Sequence, residues 1–138
     1  MLNAVPVGYN YGMSYKYFNP NPVKATAGDC VVRMYCAITG KSWAVAYEKL
    51  ADRGAEMGDM PNAKVVWVSL LRDLGFQKKT VPNYCPDCYT IKQFAKEHPY
   101  GLYAVCTGTH VVAVVDGDYM DSWDSGEEAI MFYLTVGG

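Results

Sequence analysis

The sequence predicts an α+β domain in which helices come first and an antiparallel sheet follows. Three observations predict it. Val31, Met34, Tyr35 and Ile38 recur at spacings of 3 and 4, the period of a half-buried helix. Aromatic and β-branched runs fill the last third of the chain. Asp116-Gly117 stands between two of those runs and marks a hairpin, because a type I′ turn needs positive φ at both central residues.

Residues 1–14 read as an irregular arm whose end runs into a short aromatic strand, Met13 to Phe18, broken by Asn19-Pro20-Asn21-Pro22. A helix starts at Cys30, with Asp29 as the expected N-cap and Gly40 as the stop. Ser42 caps a second helix, Trp43 to about Arg53, which Gly54 is expected to end. A third runs from about Asn62 to Leu74 and stops at Gly75. Phe76 to Val81 reads as a strand. Thr90-Ile-Lys-Gln93 fits a capping box, so Thr90 to His98 is a short helix closed by Pro99 and Gly101. Leu102–Cys106, Thr109–Val115, Asp118–Trp123 and Ile130–Val136 are the candidate strands of the sheet.

The chain of 138 residues has the length of one domain, and its 51% hydrophobic content suffices for a core. A net charge of −2 without a basic stripe argues against a dedicated nucleic-acid binder. Apolar runs as short as Val111 to Val115 predict no membrane span. Met1 to Pro6 lacks the basic start and apolar stretch of a signal peptide. The expected compartment is the cytoplasm, with the five cysteines as reduced thiols. Charge is uneven: residues 97–138 hold 7 acids and no Lys or Arg, which reads as a solvated face that the basic part offsets.

Chemistry concentrates in two places. Cys30 opens a helix, where unpaired N–H groups and the dipole favour a thiolate, although Asp29 beside it would oppose that. The plain alternative is a buried small hydrophobe. His110 starts the strand before the hairpin. A two-residue turn pairs Val115 with Asp118, then Val112 with Asp121 and His110 with Trp123. His110, Val112, Asp121 and Trp123 are thereby expected on one face, with His110 and Asp121 as diagonal neighbours. Trp123 is expected to shield that pair from water, and Asp124 to face away. A helix-start thiol plus a His–carboxylate pair are the parts of a nucleophile, general base and orienter.

In that chain order, the three parts resemble the papain-like cysteine peptidase superfamily. Asn19-Pro-Asn-Pro22, Gly28-Asp-Cys-Val-Val-Arg33, Thr39-Gly-Lys41, Cys85-Pro-Asp-Cys88, Gly108-Thr-His-Val-Val-Ala-Val114 and Asp121-Ser-Trp-Asp124 look like small phage and prophage cysteine peptidases of the bacteriocin-leader-peptidase type. The likeness covers roughly residues 15–136. It implies a helical part carrying Cys30 packed on an antiparallel sheet carrying His110 and Asp121. It also implies a peptide or protein substrate, a Cys30–His110–Asp121 triad, and no cofactor or metal. One departure stands out. The family's oxyanion-donating Gln, about six residues before the Cys, is Lys24 here, with Thr26, Asn21 and Asn19 as other donors nearby.

Cys85-Pro-Asp-Cys88 also fits a structural turn, half of a zinc site or a redox pair. The acids around Asp116, Asp118 and Asp121 fail the calcium-loop spacing. Tyr9, Tyr11, Tyr15 and Tyr17 alternate, which suggests one aromatic face. Trp43 and Trp67 are expected in the core, and His98 as a helix C-terminal cap. The leading expectation is a thiol hydrolase acting on peptide or isopeptide bonds. A non-catalytic binding module on the same fold, and a redox or zinc protein built on Cys85 and Cys88, are the alternatives.

Overall fold

The chain order is β1 (Tyr15–Tyr17), α1 (Cys30–Thr39), α2 (Trp43–Met57), α3 (Lys64–Asp73), β2 (Gln77–Thr80), α4 (Ile91–Glu97), β3 (Leu102–Cys106), β4 (Val111–Val115), β5 (Asp118–Asp121) and β6 (Phe132–Thr135). This computed structural model describes residues 14–25, 27–81 and 88–136. Tyr9, Tyr11, Met13, Thr26 and Cys85 lie outside the described residues.

The α+β class holds, and the sheet corrects one expectation. It is mixed, not antiparallel, with six strands in the order β1-β5-β4-β3-β6-β2. β1 runs parallel to β5, pairing Tyr15 with Tyr119 and Tyr17 with Asp121. The pairing is anchored by the Tyr15 ring, whose centroid lies 5.5 Å from that of Tyr119. The strand from the helical half, β2, closes the far edge against β6. The sheet therefore draws on the whole described chain rather than on its last third.

Alternation along the strands separates two cores. Ala104, Cys106, Val111, Ala113, Phe132 and Leu134 pack with α1, α2 and α3 on one face. Val105, Val112, Val114, Tyr119 and Ile130 pack with Ile91, Phe94 and Ala95 of α4 on the other. Trp67 is in the first core as expected. Trp43 is only half-buried, and it stacks on Tyr47 at 5.2 Å.

Local signals explain most boundaries. The hairpin forms with Val115 opposite Asp118, and both Asp116 (φ 48°) and Gly117 (φ 88°) adopt the positive φ that the tight turn requires. Thr90 and Gln93 form the expected reciprocal cap. His98 ends that helix, its Nδ1 2.7 Å from the Phe94 carbonyl oxygen and its ring stacked on Phe94.

Two helix signals are overridden. Gly54 does not stop α2, which continues to Met57 and ends at Gly58 in the left-handed region. The returning loop explains why glycine stands there: the Asp59 N–H donates to the Gly54 carbonyl, and a Cβ on Gly54 would lie 2.7 Å from the Asp59 oxygen. Gly54 is a close-approach position inside the helix, not its end. Asp29, in turn, makes no capping hydrogen bond to α1. Its carboxylate is engaged elsewhere, as described below.

Candidate active site

Asp121, the last residue of β5, is fully buried and collects four donors. Arg33 Nη2 donates to Oδ1 at 3.0 Å and the Ser122 N–H at 2.8 Å. Ser125 Oγ donates to Oδ2 at 2.6 Å, and His110 Nε2 lies 2.7 Å from the same oxygen. Such a carboxylate can stay ionised away from water, because each lone pair has a partner.

Arg33 is itself buried, at 5% exposure. Its other arm donates to Asp29 Oδ1 at 2.5 Å, while Trp43 Nε1 donates to Asp29 Oδ2 at 2.9 Å. This is why Asp29 fails as a cap: its carboxylate turns inward to neutralise a guanidinium that the apolar stripe of α1 carries into the core. The first-turn amides of α1 are left without a side-chain cap. Cys30, half-buried, is the first residue of that helix.

Cys30, His110 and Val111 line one cavity wall, and the imidazole and the Val111 N–H both favour the thiolate form of Cys30. Nε2 of His110 is taken by Asp121, which leaves Nδ1 as the ring's other nitrogen. The Trp123 ring, partly exposed, lies over His110 with centroids 5.3 Å apart. Asp124 faces away from the imidazole and accepts from the Tyr119 hydroxyl.

The electrostatics follow from this chain of partners. Burial pushes the Cys30 thiol up, but the His110 hydrogen bond, the Val111 N–H and the charges of His110 and Arg33 outweigh it, so the pKa falls below its ordinary value. Burial would lower the His110 pKa, yet the Asp121 and Cys30 hydrogen bonds raise it to about 9. Burial raises the Asp121 carboxyl, and His110, Ser125 and Arg33 more than offset that, leaving it below its ordinary value. The three shifts together favour a thiolate–imidazolium pair held by a carboxylate. The remaining free cysteines contrast with Cys30: burial pushes both Cys36 and Cys106 up to about 11.

The expected trio is thus brought together, but not by the face argument. Val112 packs on the α4 side of the sheet, whereas α1, which carries Cys30, covers Val111 and Ala113 on the other side. Strict alternation would have sent His110 away from Cys30. His110 escapes because it precedes the first residue of β4, and Asp121 because it is the last residue of β5. The three meet at the end of the sheet, where the α1 N-terminus overhangs the strand ends.

Cys30 and His110 border a cavity of about 180 Å3 whose wall includes Asn62, Lys64, Trp67 and Thr109. Asn62 also lines a larger, mainly apolar depression of about 310 Å3 with Trp43, Tyr47 and Met60. Lys24 lines neither. It sits at φ 55° and its Nζ donates to the Asn19 carbonyl at 2.7 Å, beside Tyr17 and Trp123. Asn21 is also committed, its Oδ1 accepting from the Val23 and Ala25 N–H groups.

Cys88 is disulfide-bonded, which corrects the expectation of reduced thiols at that position. Among the described residues no group of three or more His, Cys, Asp or Glu side chains could hold a metal ion. No described helix is long and apolar enough to cross a membrane. Sequence reasoning missed Arg33, Ser125, Asn62 and Lys64. For Arg33 there was a signal, an arginine inside an apolar helix four residues after Asp29. For Ser125 there was none, because its role depends on the loop after β5. No protein-family model, curated protein or solved structure matches the chain.

Proposed function

We propose that the protein is a papain-like thiol hydrolase that cleaves peptide or isopeptide bonds with Cys30 as nucleophile, His110 as general base and acid, and Asp121 as orienter. The observation that carries this reading is that Cys30, at the start of α1, lines one cavity with His110, whose Nε2 lies 2.7 Å from the buried Asp121 carboxylate. The Cys30 sulfur attacks the carbonyl carbon, and the C–O π pair moves to oxygen. The uncapped amides at the start of α1 are placed to stabilise that oxyanion, supplying what a side-chain amide at Lys24 would have supplied. Collapse expels the amine, which takes the imidazolium proton and leaves a thioester on Cys30. His110 then takes a proton from water, whose oxygen attacks the thioester. Collapse expels the Cys30 thiolate, the carboxylic acid leaves and the thiolate–imidazolium pair is restored.

Asp121 fixes the imidazole orientation and stabilises its protonated form, and Arg33 and Ser125 fix Asp121. Trp123 covers the pair on its outer side. No cofactor enters any step. A binding module on the same fold is the second reading, favoured by Lys24, whose ammonium is committed to Asn19 instead of to the Cys30 side. The deciding experiment is incubation with a mixed peptide library, with new termini read by mass spectrometry. Hydrolysis predicts cleavages that vanish in Cys30→Ala and in His110→Ala. Cleavages that persist in Cys30→Ala, or a wild type that cuts nothing, contradict it.

A further inference from the structure

The cavity beside Cys30 has a chemical bias. No carboxylate lines it, and it carries the Lys64 ammonium beside the His110 imidazolium. A second lysine stands close by. Both Lys64 and Lys78 place their ammonium groups over the Phe132 ring, at 5.3 Å and 4.4 Å from its centroid. Among the described residues neither lysine has an ion-pair partner, although lysines and acids pair elsewhere on this chain, as in Lys92 with Glu127.

Lys64 lines the cavity itself, and the charges of both lysines favour the thiolate form of Cys106, another lining residue. The volume, about 180 Å3, is well below the roughly 300–1,000 Å3 of a drug-sized ligand site and suits a single side chain. Trp67 and Val31 provide apolar wall for a short methylene stem, and Asn62 and Thr109 provide polar groups at the rim.

We infer that this cavity is a specificity pocket for a carboxylate next to the scissile bond, an aspartate or glutamate side chain, with Lys64 as its main determinant and Lys78 as support. The inference rests on the hydrolase reading for its meaning, since it names that enzyme's substrate class. Its physical content, a cation field that concentrates anions at Cys30, does not depend on turnover. Of the two helices that line the cavity, α1 contributes Cys30 and Val31 and α3 contributes Lys64 and Trp67, so its one lysine comes from the start of α3.

The test uses two alkylating reagents of similar size and reaction, iodoacetate and iodoacetamide, on the full chain. The Cys30 rate is followed by mass spectrometry of the peptide that contains it, with Cys30→Ala as the blank. The rate ratio of the anionic to the neutral reagent is compared between wild type, Lys64→Gln and the Lys64→Gln/Lys78→Gln double variant. Both lysines are exposed, so the substitutions leave the core untouched. The expected result is a ratio that drops about two- to fivefold in Lys64→Gln, the range of an exposed ion pair, and further in the double variant. The iodoacetamide rate should stay unchanged, and the drop should shrink at high salt.

An equal ratio in all three proteins overturns the pocket assignment. That failure is separable from failure of the hydrolase reading, because the ratio is read without any substrate being cleaved. If the peptide library yields cuts, they should cluster beside Asp or Glu in wild type and lose that preference in Lys64→Gln. Cuts indifferent to acidic neighbours also overturn the assignment.

Discussion

Replacing Arg33 by Met keeps the length of the side chain and removes the charge at the centre of the site. In the wild type, Arg33 bridges Asp29 at 2.5 Å and Asp121 at 3.0 Å, with side-chain exposures of 6%, 6% and 1% for the three residues. This is not a surface pair, so solvent does little of the screening. Breaking a buried pair by removing one partner typically costs about 3–5 kcal/mol, because a charge is left uncompensated. Here two carboxylates lose the same partner, which argues for the upper end. Both keep other donors, Trp43 for Asp29 and Ser122, Ser125 and His110 for Asp121, which argues for the lower. The expected loss is about 3 kcal/mol at neutral pH, a large part of the roughly 5–15 kcal/mol of a typical domain. Urea unfolding of wild type and Arg33→Met, followed by tryptophan fluorescence, measures it. The pH dependence adds a second check. The folded Asp121 pKa is depressed, so its contribution is present above the unfolded value of about 4 and is lost as pH falls through the folded one. Arg33 helps depress it, so the gap between the two proteins should narrow in acid. A loss below about 1 kcal/mol at neutral pH, or a gap that widens in acid, refutes the reasoning.

Three further predictions follow from particular contacts. Gly54→Ala should destabilise by about 1–2 kcal/mol in thermal unfolding even though alanine is the better helix former, because the new methyl meets a backbone oxygen at 2.7 Å that cannot swing aside. Thr90→Ala removes one half of the reciprocal cap of α4 and should cost about 1 kcal/mol in the same assay, with Thr90→Ser recovering most of it. Asp121→Asn should slow Cys30 alkylation at neutral pH by at least about tenfold, whereas Asp124→Asn, whose carboxylate serves Tyr119, should leave the rate within about twofold. Equal effects of the two substitutions would show that Asp121 has no special hold on His110.

How far the site could be read in advance depends on the range of the interaction. The Asp116-Gly117 turn sets its own register, and that register brought His110 and Asp121 into one neighbourhood before any fold was known. The Thr90–Gln93 cap is likewise a matter of four consecutive residues. Where a local rule met a long-range partner, the partner won. Asp29 has the right side chain for a cap, but a buried guanidinium four residues on offers a stronger, charge-assisted bond. Gly54 looks like a helix stop until the loop from Asp59 to Pro61 is seen returning against it. The parallel seat of β1 beside β5 links residues more than a hundred positions apart, and nothing in Tyr15 to Tyr17 specifies it. Side-chain alternation, a rule for strand interiors, failed for His110 because the residue lies just outside its strand.

The central claim is that Cys30 and His110 form an ion pair in the resting protein. The rate of Cys30 alkylation by iodoacetamide against pH, in wild type and His110→Ala, tests it most directly. His110 stays protonated up to about pH 9 and helps hold the thiol below its ordinary pKa, so wild type should react with a midpoint well below the free-thiol value of about 8.5. In His110→Ala the largest counterweight to the burial of Cys30 is gone, and the midpoint should move up toward that value. Superimposable profiles near the free-thiol value in both proteins would contradict the account.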